Sequence, residues 1–527
     1  MDIVVRNGLV HDGAGKPPVR ADLGIDRGRI AAIGAIDAPG ARQIDAAGLL
    51  VTPGFIDIHS HSDYTLLVDP RAASAIHQGV TLEVIGNCGF GCAPVGDPRL
   101  AGTAIYGFDG SVPLAWRGLG SYLDRLEQAK PAVNVMTLVP NGQLRLAAVG
   151  LSEDPADRAQ TEAMRVLLRE GLSEGAFGYS VGLEYPAERG ASAAELTALA
   201  QETGRAGGLF ATHTRRRAER AAESVGEVLA IARAAAVRLQ VSHIVPRSGI
   251  DESRRCIDAV DAARAAGQDV AFDMHTRLYG TTMLSTLIPS WALAEGEAGL
   301  RRHLASAASR ARMKTYPSIA TSVGDWEKVV LLAVPRRPEL SRLSLAEIGR
   351  RMGRDPHDAA LDLLAEEAAT PHRIMMILHT YDAQMQKEAF VHPLCAPGSD
   401  ATTLAPDGPL AEKTFHGAYS WASWYWRAMV RDWRLLTPEE AVHRLTGLPA
   451  SILGLSGRGT IRVGASADLA IFDPAAFGER ATIFEPNILA TGMRHVLVNG
   501  VPALVDGAPT GARAGAVLRR AGPPIAF

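Results

Sequence analysis

The chain is poor in the residues that would staple a small fold, span a bilayer or grip a polyanion. Four cysteines in 527 residues cannot build a disulfide framework. No run approaches the ~20 consecutive apolar residues of a membrane-spanning helix. The opening MDIVVRNGLVHDGAG has only a short apolar run and an acid at position 2, unlike a secretory leader. Charge is nearly balanced, with 54 Lys+Arg against 57 Asp+Glu and a net charge of −3, which argues against a basic face for nucleic acid or acidic lipid. What is present is 47% hydrophobic and 21% charged, the proportions of a folded globular chain and not of a disordered one. The expectation is a large cytoplasmic enzyme with a small-molecule substrate and neither nucleic acid nor membrane as partner. Oligomeric state stays open.

Both ends carry short strands punctuated by turns. Asp26-Arg27-Gly28 lies between two apolar runs, and Asn499-Gly500 separates HVLVN from VPALV, both in the grammar of hairpins. This shared style predicts one small β-sandwich domain built from residues 1–50 together with 455–527. The middle, 51–454, alternates instead. Apolar β-branched runs recur as GFIDIHS, VTLEVIG, VNVMTLV, GAFGYSV, GLFATH, VRLQVSH, DVAFDM, RIMMILH and LCAPGSD, with stretches of helical period between them, such as AAESVGEVLAIARAAA. Strand–helix alternation at this length predicts an α/β fold, a (β/α)8 TIM-like barrel. Nine runs are one too many, and RIMMILH is the candidate surplus. Between 280 and 345 the alternation fails and Pro289, Pro317, Pro335 and Pro338 interrupt it, which predicts an inserted lid near the barrel mouth.

The sharpest chemical signal is Gly54-Phe55-Ile56-Asp57-Ile58-His59-Ser60-His61. Residues i and i+2 of a strand share a face about 6.6–6.8 Å apart, so two imidazoles so spaced can converge on one ion. Alone, such a pair reads equally well as polar surface at a strand end. Cys88 follows VTLEVIGN, His213 ends GLFAT and His243 ends VRLQVS. The C-terminal strand ends of a barrel open on one face, where active sites lie, so these residues would meet there. Imidazole and thiolate suit zinc and are too rich in nitrogen and sulfur for magnesium or calcium. Asp400, in Pro397-Gly398-Ser399-Asp400, would bring a carboxylate to the same face as acid/base; by itself, Ser-Asp reads as a turn or cap.

Together, PGFIDIHSHSD, GNCGFGCAPV, GLEYP, ATHTRRRAE, VSHI, PGSDA and GRGTIRVGASADLAIFDP resemble the amidohydrolase superfamily, and within it the N-acyl-D-amino-acid deacylase (D-aminoacylase) family, over almost the whole chain. The resemblance implies that Cys88, His213 and His243 hold a tightly bound zinc. It further implies that His59 and His61 form a second, often weak or empty, metal position, and that Asp400 is the catalytic acid/base at the end of the eighth strand. Cys92 has no counterpart in the family pattern. The implied activity is hydrolysis of a C–N amide bond, most simply in an N-acyl-D-amino acid.

The departures fall on the substrate side. Val245 stands where the family carries a lysine that helps bind the α-carboxylate. The D-x-Y-P-Y segment is Asp273-Met274-His275-Thr276-Arg277, and Gly-His before Leu-Arg is replaced by Gly142-Gln143. The candidate substrate contacts are therefore Tyr185, Arg215, His275, Arg277 and His416. Arg277, or one of Arg215, Arg216 and Arg217 with Arg215 preferred, would replace the lost lysine, because a guanidinium grips a carboxylate with two parallel bonds. The changes also motivate an alternative substrate without a free carboxylate: a cyclic amide, a carbamate or an amide-linked natural product. A non-catalytic scaffold is the third reading, and the complete ligand set argues against it.

Overall fold

The computed structural model describes residues 1–37, 40–186 and 188–520. Its centre is a ring of parallel strands: β1 (Phe55–Asp57), β2 (Val80–Ile85), β3 (Asn134–Thr137, resuming at Val139–Pro140), β4 (Gly178–Gly182), β5 (Leu209–His213), β6 (Arg238–Val241), β7 (Val270–His275) and β8 (Cys395–Gly398). Each pairs in parallel with the next. The ring closes between β8 and β1 through a parallel bridge from Ser60 to Ala401. His59 O accepts from Asp400 N at 2.8 Å, and Ala401 O accepts from His61 N at 2.9 Å.

Every residue of these strands except Arg238 is buried, as expected of parallel strands covered on both faces. The period of two is visible within β5. Phe210 joins a cluster shared with helix residues Leu168, Leu196, Leu229 and Ile257. Leu209 and Ala211 join a different cluster with Ile56, Leu82, Met136 and Ala396 of other strands. The covering helices begin where their sequences predict. Asp157 and Gln160 form a reciprocal capping box before Arg158–Ser173, and Ser192 caps Ala193–Arg205.

The strands of the two termini form one nine-stranded sheet. Its two contributions meet where Leu50–Pro53 runs antiparallel to Leu469–Phe472, over a core that includes Val5, Leu23, Ile25, Val51, Leu469 and Leu497. The hairpin turns at Arg27-Gly28 and Asn499-Gly500 hold all four residues at positive φ, between 48° and 78°, the conformation that favours Gly and Asn in two-residue turns. RIMMILH lies outside the barrel. Met375–Leu378 is the middle strand of a separate antiparallel sheet with Gly280–Met283 and Val329–Leu331. This sheet has its own apolar cluster, from Leu284 to Leu378, so the inserted structure continues past residue 345. No helix among the described residues is long and apolar enough to cross a membrane.

Candidate active site

The strand ends bring the predicted ligands together. Cys88 Sγ lies 3.1 Å from His59 Nε2 and 3.5 Å from His243 Nε2. Asp400 Oδ1 lies 3.3 Å from His61 Nε2 and 3.6 Å from His59 Nε2. Two overlapping groups result, His59–His61–Cys88–Asp400 and Cys88–His213–His243, with the donor atoms of each within 4.8 Å of one another. The side chains of His59 and His61 are at most 2% exposed, whereas that of Asp400 is 21% exposed. Asp400 is therefore the member of this group most open to solvent.

The local backbone is unusual where the ligands leave their strands. Cys88, His243 and Asp400 have φ of 53°, 34° and 44°, the left-handed region in which a non-glycine residue costs about 1–3 kcal/mol. Glycines provide the close packing around them. A Cβ on Gly398 would stand 2.9 Å from the Cβ of His59, and one on Gly182 would collide with the carbonyl of Cys88.

A layer of buried carboxylates orients the imidazoles. Asp273 accepts from His59 Nδ1 at 3.1 Å, from the His243 amide at 2.7 Å and from Gln240 Nε2 at 3.0 Å. Because a carboxylate only accepts, this contact puts the His59 proton on Nδ1 and turns the Nε2 lone pair towards Cys88. Asp57 accepts from the Ser399 and His59 amides at 2.9 and 3.2 Å, and burial with Glu83 nearby pushes its carboxyl up to about 7. Glu184, directly after β4, contacts His213 Nε2 at 2.8 Å and pairs with Arg247. No sequence motif marks the contacts of Asp273 and Glu184. Their only sequence signal was a place at or just past a strand end.

The electrostatics favour a bound cation. Burial pushes the Cys88 thiol up to about 11, lowers His213 to about 4 and, with Arg217 beside it, takes His243 well below the ordinary range. Burial opposes the ionised form of Asp400, but the His61 hydrogen bond and the charge of Arg277 outweigh it and hold that carboxyl well below the usual value. Nδ1 of His61, His213 and His243 is buried without a hydrogen-bond partner among the described residues. A sulfur, four imidazoles and one ionised carboxylate crowded into an apolar shell of Phe90, Tyr106 and Phe415 are a donor set that fits zinc.

The candidate substrate contacts divide. The Tyr185 ring lies 4.9 Å from that of His213 and 4.6 Å from that of Phe90. His275 is buried, 6.5 Å from the His243 ring. Arg277 donates to Asp400 Oδ2 at 3.0 Å and to the carbonyls of Asp400, Ser399 and His416. Arg215 is turned to Glu227 and to the carbonyls of Arg189 and Ala191, and His416 Nε2 donates to the Ile483 carbonyl. In the aromatic run after His416, Trp421, Tyr425 and Trp426 pack into the main core. Cys92 also lies in that core.

The chain is similar to known proteins over most of its length. Residues 42–313 and 404–503 match the Amidohydrolase family. The chain is 34% identical to an N-acyl-D-glutamate deacylase of Alcaligenes xylosoxydans xylosoxydans, over 99% of this chain and 97% of that protein. It is 31% identical to the D-aminoacylase of the same organism, over 98% of each. The crystal structure of N-acyl-D-glutamate deacylase from Bordetella bronchiseptica, complexed with zinc and a phosphonate mimic of the tetrahedral intermediate, matches with a TM-score of 0.82 at 32% identity, over 99% of this chain and all of that one.

Proposed function

This chain belongs to the amidohydrolase family, and we propose that it is a zinc-dependent hydrolase of a C–N amide bond, most simply one that deacylates an N-acyl-D-amino acid or close analogue. The observation that carries the reading is the meeting of His59, His61, Cys88, His213, His243 and Asp400 at one mouth of the barrel. Cys88, His213 and His243 would hold one ion, and His59 with His61 a second position. Zinc held there supplies Lewis-acid polarisation of the scissile carbonyl and lowers the pKa of water.

The chain's own residues supply the rest. Asp400, ionised at neutral pH and the most exposed of the cluster, takes the proton from the attacking water and returns it to the leaving nitrogen. Asp273 keeps His59 in one tautomer. Phe90, Tyr106 and Tyr185 keep the pocket apolar, and the inserted sheet, whose Met283 and Met375 pack against the cluster that holds Cys88, acts as a lid. The cysteines, all buried and unpaired, support a reducing, cytoplasmic setting.

Replacing Asp400 with Asn tests the mechanism. Zinc content stays unchanged while kcat falls by about 10³-fold or more; retained turnover removes Asp400 from the chemistry. A second reading, a neutral or cyclic amide substrate, is favoured by the internal engagement of Arg215 and Arg277. A panel of N-acetyl-D-amino acids against neutral amides decides between them, and good kcat/KM on the D-amino-acid panel sinks the second.

A further inference from the structure

Three consecutive barrel strands are each followed by a buried guanidinium, and two of the three face a carboxylate. Arg277, after β7, faces Asp400. Arg247, after β6, faces Glu184 and has a side chain only 3% exposed. Arg217, after β5, is 6% exposed and has no carboxylate within ion-pair distance among the described residues. Its Nη2 donates to the carbonyls of Val245, at 2.8 Å, and His243, and its Nη1 donates to the Tyr381 hydroxyl at 3.3 Å. These neutral acceptors hold the group in place without cancelling its charge. They use three of its five N–H groups, and the other two make no hydrogen bond among the described residues. The charges of Glu184 and Asp400 reach it only through space, so a carboxylate in direct contact is the partner that this guanidinium lacks among the described residues.

Its position says which partner. The two carbonyls that hold Arg217 belong to the end of β6, beside the candidate ligand His243. The Tyr381 ring lies 5.0 Å from that of His275, which in turn neighbours His243. Cation, phenol and imidazole thus stand beside the candidate ligand His243, while Phe90 and Tyr106 pack beside His61. We infer that Arg217, assisted by the Tyr381 hydroxyl, is the receptor for the substrate's carboxylate, and that the substrate is therefore an acylated amino acid and not a neutral amide. This rests on the deacylase reading above. Val245 offers no charge of its own, and Arg217 delivers a guanidinium onto its carbonyl oxygen from the neighbouring strand's loop.

The test is equilibrium binding to the zinc-loaded protein by calorimetry, using probes it cannot hydrolyse. These are N-methanesulfonyl-D-leucine and N-methanesulfonyl-D-glutamate, each against its fully amidated counterpart. The parent binds at least one acid tenfold or more tighter than its amide. Arg217→Met abolishes that preference with zinc content and amide affinity unchanged, Arg217→Lys keeps part of it, and Tyr381→Phe reduces it a few-fold. Should the Met variant not fold, the Lys and Phe variants decide. A parent that binds no acid or shows no preference, variants that keep the full preference, or equal losses on acid and amide would overturn the assignment. Turnover of N-acetyl substrates by the parent is measured separately. Turnover without the binding preference sinks Arg217 alone, and a preference lost on substitution, with no turnover of any amide, sinks the hydrolase reading alone.

Discussion

Arg277 and Asp400, 123 positions apart, form a partly buried ion pair in which Nη2 reaches both the carboxylate oxygen, at 3.0 Å, and the main-chain carbonyl of the same aspartate, at 3.1 Å. The same guanidinium holds Ser399 O and His416 O at 2.7 and 2.5 Å. One side chain thus fixes the turn that carries the proposed acid/base and the charge on it. Asp400 sits at a φ of 44°, and this clamp is the contact that over-determines so strained a position.

Arg277→Met is accordingly expected to lower kcat by about 10²-fold, the scale of a 1 Å misplacement, with KM changed less. Arg277→Lys, a single point charge in place of a fork, should recover little. A kcat within twofold of the parent would show that Asp400 holds its place without the clamp.

Asp273→Asn replaces the accept-only carboxylate that sets the His59 tautomer with an uncharged amide that can also donate. Loss of such an outer partner weakens metal affinity by about 10–100-fold. Competition with a chelator, read by atomic emission, measures it, and Asp273→Asn should need less chelator to strip metal at the His59–His61 position.

Metal removal is expected to abolish hydrolysis and to lower stability together, since the buried Cys88 and imidazoles then crowd one another without a cation. Restoring Zn2+ at about 100 times its Kd raises the unfolding free energy by about 2.7 kcal/mol. Denaturant unfolding of the apo and reconstituted protein checks it; magnesium should not substitute.

His416 predicts an acid sensitivity. Burial lowers its pKa to about 4 while it donates to the Ile483 carbonyl. Between pH 6.5 and 4 the unfolded chain takes up a proton that the folded chain refuses, so falling pH favours unfolding; above 6.5 neither state is charged there and the effect vanishes. His416→Gln keeps a donor but does not titrate. The parent should lose on the order of 3 kcal/mol more than this variant between pH 7 and pH 4, measured by urea unfolding at both values.

The positions that converge were legible because they obey local rules. His59 and His61 are one strand period apart, while Cys88, His213 and His243 each close an apolar β-branched run. A parallel barrel then has no choice but to open all such ends on one face. The surplus strand RIMMILH was legible by count but not by place, since pairing with Gly280–Met283 and Val329–Leu331 depends on a cluster spread over about a hundred residues.

What the amino-acid order determined by itself is the set of elements and the chemistry at their ends, because periodicity and residue type act over a few positions. Which charge answers which was decided only in three dimensions. Arg215 meets Glu227, Arg277 meets Asp400, Arg217 meets no carboxylate among the described residues, and Asp273 reaches across 214 positions to His59. Ion pairs form between whichever buried groups the packed chain brings within a few ångströms, and burial, which makes an unpaired charge costly, exists only once the core has closed.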